Sequence, residues 1–143
     1  MIALALALAV PAAPAEAAVM APIDALFAAF EAGDSTAILR HVYPEGRVTA
    51  VGTLPSGTSG LRLSNWTEFA ARMKPGGGFK ERITNPTIRI DADIAVVWAP
   101  FTIERDGKIV SCGYDHFDMV RRAGAWKVMN ITFSTRTTGC PGQ

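Results

Sequence analysis

The sequence predicts an α+β fold: a curved antiparallel sheet with helices packed on one of its faces. Three observations predict it. Apolar residues recur at helical spacing up to Gly33 and again from Trp66 to Met73. From Phe79 onward the spacing is that of strands, and turn signals divide this second half into four runs. The 143 residues amount to one domain, long enough to bury roughly two thirds of the unfolded surface.

The chain opens on an unbroken apolar run, Ile2–Val10, followed by Pro11-Ala12-Ala13-Pro14 and Ala15-Glu16-Ala17. A short apolar stretch ahead of an A-x-A site is the pattern of a secretory signal, although no Lys or Arg precedes the run. Cleavage is expected after Ala17, leaving residues 18–143 as a periplasmic or secreted domain. The run is too short to cross a bilayer. Pro22–Ala32 then reads as a helix: Ile23, Leu26, Phe27 and Phe30 make one stripe, Pro22 suits a first turn and Gly33 a stop. Asp34-Ser35 caps a second short helix whose buried side is Ile38, Leu39 and Val42, and Tyr43-Pro44-Glu45-Gly46 breaks it.

Arg47–Val51 and Leu61–Ser64 form a strand pair. Asn65-Trp66-Thr67-Glu68 has the form of a capping box, opening a third helix with Trp66, Phe69, Ala70 and Met73 on its buried side. Four strand-like runs follow, near 79–90, 94–105, 108–121 and 126–136, separated at Asp91-Ala92-Asp93, Asp106-Gly107 and Ala123-Gly124.

Composition excludes several function classes. Fourteen Lys and Arg stand against 13 Asp and Glu, a net charge of +1, which is no footprint for nucleic acid or an anionic membrane. No Walker loop, dinucleotide fingerprint or G-x-S-x-G elbow occurs, so no cofactor is expected. No His or Cys lies at metal-ligand spacing near Cys112 or Cys140. These two cysteines are either unpaired thiols or, in an oxidising compartment, a disulfide worth roughly 3 kcal/mol.

If Asp106-Gly107 and Ala123-Gly124 are both two-residue loops, the registers follow. Counted back from the turns, Trp98 faces Asp115 and Asp115 faces Thr132. One face then carries Ile94, Val96, Trp98, Asp115, Phe117, Met119, Trp126, Val128, Asn130 and Thr132, grading from apolar to polar as a tapering pocket would. The other carries Val97, Phe101, Cys112, Tyr114, His116, Asp118, Met129, Ile131 and Phe133, too apolar to face water, which predicts a homodimer through the outside of the sheet. A one-residue bulge would overturn these assignments. The first of the four runs has ambiguous faces, because a two- or three-residue turn at Asp91 reverses them.

Three segments carry a resemblance to a known family. They are Tyr43-Pro44-Glu45-Gly46, the strand Cys112-Gly113-Tyr114-Asp115-His116-Phe117-Asp118-Met119-Val120, and Trp126-Lys127-Val128 with the tail Gly139-Cys140-Pro141. Together the chain resembles the nuclear transport factor 2-like superfamily over residues 20–141, in its SnoaL-like and lumazine-binding-like branch. The resemblance implies a cone-shaped, curved, mixed or antiparallel sheet with three N-terminal helices on its concave face. It implies no activity, since this fold hosts unrelated functions. The two acids and tyrosine of a ketosteroid isomerase and the His-Asp pairing of a dehydratase are not found, and no flavin or lumazine site is identified.

The pocket is expected to be lined by Tyr43, Trp66, Trp98, Asp115, Phe117, Asn130 and Thr132, and to take a small apolar or aromatic molecule. Asp115 is the one candidate catalytic residue. Desolvated by Trp98 and Phe117 it would suit proton transfer; held by Thr132, Arg47 or a backbone amide it would only line the pocket. Asn130 serves a ligand or caps a bulge, and His116 with Asp118 is an acid–base pair or an interfacial one. Three functions are in play: a binding protein without catalysis, an isomerase, dehydratase or cyclase using Asp115 as general base, and an interaction module whose cone is filled by its own side chains.

Overall fold

A computed structural model of the chain describes residues 12–143; the apolar run Ile2–Val10 lies outside the described residues. Helix α1 (Ala12–Ala32) takes in Pro22 and the expected cleavage site. It starts well before Pro22 because Val19 extends the buried stripe of Ile23, Leu26, Phe27 and Phe30 by one turn. In α2 (Ser35–Arg40) the Asp34 carboxylate accepts the Ala37 N–H, and Ile38 is buried.

Strands β1 (Arg47–Thr53) and β2 (Ser59–Asn65) form a hairpin that runs directly into α3 (Trp66–Ala71). The capping box is complete: Asn65 Oδ1 accepts the Glu68 N–H, and Glu68 Oε2 accepts the Asn65 N–H. Five strands follow, β3 (Lys80–Ile83), β4 (Thr87–Asp91), β5 (Ile94–Arg105), β6 (Lys108–Arg122) and β7 (Ala125–Thr135). The run expected near 79–90 is therefore two strands. Asn85 has φ +45° and Pro86 has no N–H to give a ladder, so pairing with β5 lapses between them.

The strands make one sheet in the order β2-β1-β7-β6-β5-β3, with β4 on the other stretch of β5. It is mixed, because β1 runs parallel to β7 while the other pairs are antiparallel. Two expectations are corrected. The sheet is open and not strongly curled, so it is no cone. Over its helix-covered side Phe30 of α1 packs on Phe69 of α3 and on Phe79, at 5.4 and 5.2 Å between ring centroids. Only α1 and α2 are N-terminal, since α3 falls between β2 and β3 in the chain.

Both two-residue turns form, with positive φ at Asp106, Gly107, Ala123 and Gly124, the requirement of a type I′ turn. The registers expected from them hold only next to the turns. Glu104 faces Ile109 but Ile103 faces Ser111, which leaves Val110 as an extra residue in β6. Met119 faces Val128 but Asp118 faces Asn130, which leaves Met129 extra in β7. Each bulge reverses the pairing parity beyond it.

The consequences are specific. Trp98 faces His116 rather than Asp115, and Asp115 faces Phe133 rather than Thr132. On the helix-facing side the buried residues are Ala95, Val97, Ala99 and Phe101 of β5, Asp115, Phe117 and Met119 of β6, and Val128 and Ile131 of β7. Ile94, Val96, Trp98, Asn130 and Thr132, expected there, lie on the other side. Phe101, Ile131 and Phe133, expected outside, turn in toward the helices.

A disulfide joins Cys112 to Cys140 across a Cα–Cα distance of 5.6 Å, and both residues are buried. It ties the C-terminal tail to β6, where Gln143 Nε2 also donates to the Ile109 carbonyl.

Candidate functional site

The seven residues expected to line a pocket do not come together. Trp66 and Phe117 are fully buried; the Trp66 indole N–H donates to the Met129 carbonyl at 2.9 Å, and Phe117 packs against Phe27. Tyr43 is half-buried at the sheet margin, where its N–H donates to the Val128 carbonyl. Trp98 stands half-exposed on the outer face, stacked on Tyr114 at 5.1 Å. Thr132 is exposed on the same row, with His116 between it and Trp98. Asn130 holds the bulged strand: its Oδ1 accepts the Arg47 N–H at 2.8 Å and its Nδ2 donates to Asp118. The latter carboxylate also lies 3.5 Å from His116, so this pair sits on the outer face.

Asp115 does point to the helix-facing side and is wholly buried. Neither of its carboxyl oxygens has a hydrogen-bond partner of regular geometry among the described residues. Its charged neighbour is Glu81, which arrives from β3 on the far side of β5. Glu81 faces Ile103 while Asp115 faces Ala99, so the two carboxyls meet diagonally across that strand. Burial pushes the Asp115 carboxyl well above the usual range, and the Glu81 charge pushes it the same way. Burial raises Glu81 too, while its contact with Asp115 works against the rise. Two desolvated carboxyls in contact do not both ionise at neutral pH, so the pair retains a proton. Ser111, buried on the row that Glu81 and Ile103 share, has a hydroxyl with no partner among the described residues.

The deep interior is nearly filled. A void of about 40 Å³ remains among Phe30, Trp66, Phe79, Glu81, Ile131 and Phe133. Glu81 lines it and Asp115 does not. Around Val48, Phe69 and Phe133 this void adjoins a half-open cleft of about 460 Å³ between α3 and the helix-facing side of β1 and β2. The cleft has apolar walls of Val48, Ala50, Leu54, Phe69 and Phe133, and its polar groups come from Arg62, Ser64 and Arg72. On its other side Glu81 borders a groove of about 310 Å³ between α1 and β3, where Asp24, Glu31 and Lys80 stand.

Glu81, Arg62 and Arg72 were not singled out in the sequence. The sequence shows only that Leu61-Arg62-Leu63-Ser64 alternates; the structure shows that the alternation runs in reverse, with Leu61 and Leu63 exposed and the polar side inward. Lys80-Glu81-Arg82-Ile83 offers no such signal, because a charged run of this kind ordinarily marks a solvated edge. Among the described residues no group of three or more His, Cys, Asp or Glu could hold a metal ion, and no helix is long and apolar enough to cross a membrane.

No protein-family model and no curated protein matches the chain. Solved structures do. One is a protein of unknown function with a cystatin-like fold from Nostoc punctiforme (TM-score 0.67, 12% identity, covering 88% of this chain and 93% of that one). Another is a nuclear transport factor 2-like protein with a cystatin-like fold from Novosphingobium aromaticivorans (TM-score 0.68, 13% identity, 88% and 84%). A third is a nuclear transport factor 2-like protein of unknown function from Shewanella baltica (TM-score 0.63, 14% identity, 90% and 98%). At such identities the likeness establishes the fold: this chain has the nuclear transport factor 2-like, or cystatin-like, architecture.

Proposed function

We propose that the protein binds a small, largely apolar or aromatic molecule on the helix-facing side of its sheet, in the cleft between α3 and the β1–β2 hairpin. The observation that carries this reading is the cleft itself. Its volume of about 460 Å³ falls within the roughly 300–1,000 Å³ of ligand sites, and its walls are apolar with a few convergent polar groups. The small void behind it supports placing the ligand at this mouth rather than at the centre, which the chain's own aromatic residues fill. Titration of methyl-labelled protein with aromatic fragments tests it. Shifts at Val48, Ala50 and Leu54 are expected; shifts confined to Ile94 and Val96 on the outer face would overturn it.

A second reading is favoured by the Glu81–Asp115 pair. A retained proton beside an apolar void is the equipment of an acid–base catalyst of isomerase, dehydratase or cyclase type. Glu81 borders the void and would meet a substrate, while Asp115 behind it would set its protonation. Under this reading Glu81→Gln abolishes turnover of a bound substrate and leaves its affinity within a few-fold.

The remaining parts of the proposal have their own support. The Cys112–Cys140 bond suits an oxidising compartment, in keeping with an exported domain. The C-G-x-D-x-F strand and G-C-P tail support the SnoaL-like and lumazine-binding-like branch within the fold. Homodimerisation through the outer face is supported by the exposure there of Ile94, Val96, Trp98 and Tyr114.

A further inference from the structure

From the arginines in its lining, we infer that the cleft selects an organic anion: a carboxylic acid whose carboxylate is drawn to the Arg72 guanidinium, with Arg62 adding to the positive field, and whose aliphatic or aromatic body lies along Val48, Ala50 and Phe133. The inference rests on the small-molecule reading above and specifies its ligand.

Arg62 projects inward from β2 opposite Ala50. Its Nη1 donates to three backbone carbonyls of the hairpin, those of Gly52, Thr58 and Gly60, at 3.1 to 3.3 Å. Those bonds fix the plane of the guanidinium before any ligand arrives. Its Nη2 is buried and has no hydrogen-bond partner among the described residues. A buried, charged group left partly unpaired is costly, and an anion bound in the cleft offsets part of that cost through its charge. Arg72 reaches the same cleft from the end of α3, where its Nη2 donates to the buried Ser64 hydroxyl at 3.2 Å and its guanidinium lies 5.9 Å from the centre of the Phe69 ring.

Among the described residues no acid pairs with these two cations. The cleft lining contains both arginines and no carboxylate. Among the described residues, the ion pairs are Lys80–Glu31, His116–Asp118 and Arg121–Asp93, none of which involves either arginine. Glu68, placed one helical turn before Arg72 where an ion pair is usual, is instead committed to the Asn65 N–H in the capping box. A cleft with apolar walls, two arginines and no acid in its lining matches a carboxylate on a hydrocarbon body better than a compact inorganic anion, which would leave the walls wet.

Calorimetric titration at about pH 7 with 4-phenylbutyrate and with 4-phenylbutyramide tests this, because the two differ in charge and hardly in shape. The acid is expected to bind at least about tenfold more tightly than the amide, and Arg72→Met to remove most of that preference. Arg72 is exposed at the helix end, so its loss does not threaten the fold, whereas Arg62→Met releases three hairpin carbonyls and is read only after its circular dichroism matches wild type. Equal binding of acid and amide would overturn the anion inference and leave the small-molecule reading standing. Binding of neither at about 1 mM would overturn both. A preference for the acid that survives in both arginine variants would also sink the inference.

Discussion

Glu81 and Asp115 bring their carboxyls together from strands that are not neighbours, β3 and β6, across the intervening β5. Because both groups are held protonated more readily than in the unfolded chain, the native state binds more protons than the unfolded one as pH rises above the ordinary carboxyl range. Stability therefore falls with increasing pH. The loss begins near the unfolded values of about 4 and continues as pH approaches the raised folded values. Urea unfolding at pH about 5 and about 8 should show wild type less stable at the higher pH by about 1–3 kcal/mol. Asp115→Asn, which removes one ionisable partner without changing shape, should flatten that difference. A wild type equally stable at both pH values would contradict the pair's shared proton.

The disulfide closes a 28-residue separation between β6 and the tail. Reduction, or Cys140→Ser, frees the tail and restores loop entropy to the unfolded chain, an expected loss of about 3 kcal/mol. Because no residue of the tail lines the cleft, ligand binding in the folded variant should be unchanged. A thermal melt with and without reductant reads the first effect, and the titration described above reads the second.

The three helices, the first hairpin and the last three strands were legible because each carries its own local chemistry: the stripe through Ile23, Leu26, Phe27 and Phe30, the Asn65–Glu68 capping box, and the two glycine turns. The split of the run near 79–90 into β3 and β4 was not legible. What escaped was parity over distance. Val110 and Met129 look like any other strand residues, and nothing local says that they bulge, yet those two positions decide that Trp98 and Thr132 stand outside while Phe101 and Phe133 point in. Asp115 kept its expected side because it lies on β6, the strand on which the face assignment carried through. Glu81 lay beyond reach of the same logic: the break at Asn85-Pro86 uncouples β3 from the turn at Ala92, so no register could be counted back to it.

The bulge at Met129 is not idle. Its carbonyl accepts the Trp66 indole N–H, and the chain at Gly46 passes so close that a Cβ there would collide with the same carbonyl. Gly46→Ala must therefore displace either β7 or the start of β1, with Trp66 losing its partner. The expected cost is about 2–4 kcal/mol, in the range of overpacking combined with an unsatisfied buried donor. Trp66→Phe isolates the hydrogen bond and should cost less, about 1–2 kcal/mol. Chemical denaturation of both variants orders them, and a Gly46→Ala protein as stable as wild type would show the approach to be looser than the structure has it.

Trp98 is half-exposed in one chain, stacked on Tyr114 and flanked on the same face by Val96 and Ile94. If this face pairs with a second copy, as proposed, Trp98 supplies the large, rigid anchor such contacts favour, and a two-fold axis would bring His116 and Asp118 of each copy near their counterparts. Trp98→Glu places a charge in the middle of that surface. In the monomer the residue already meets water, so folding should be untouched and circular dichroism unchanged. In the dimer two carboxylates would be driven into an apolar contact, and association should weaken by a factor of about one hundred or more. Sedimentation velocity is expected to give twice the chain mass for wild type and the mass of one chain for Trp98→Glu. Wild type sedimenting as a single chain at micromolar concentration would remove the dimer and leave the Trp98–Tyr114 stack without a partner to explain it.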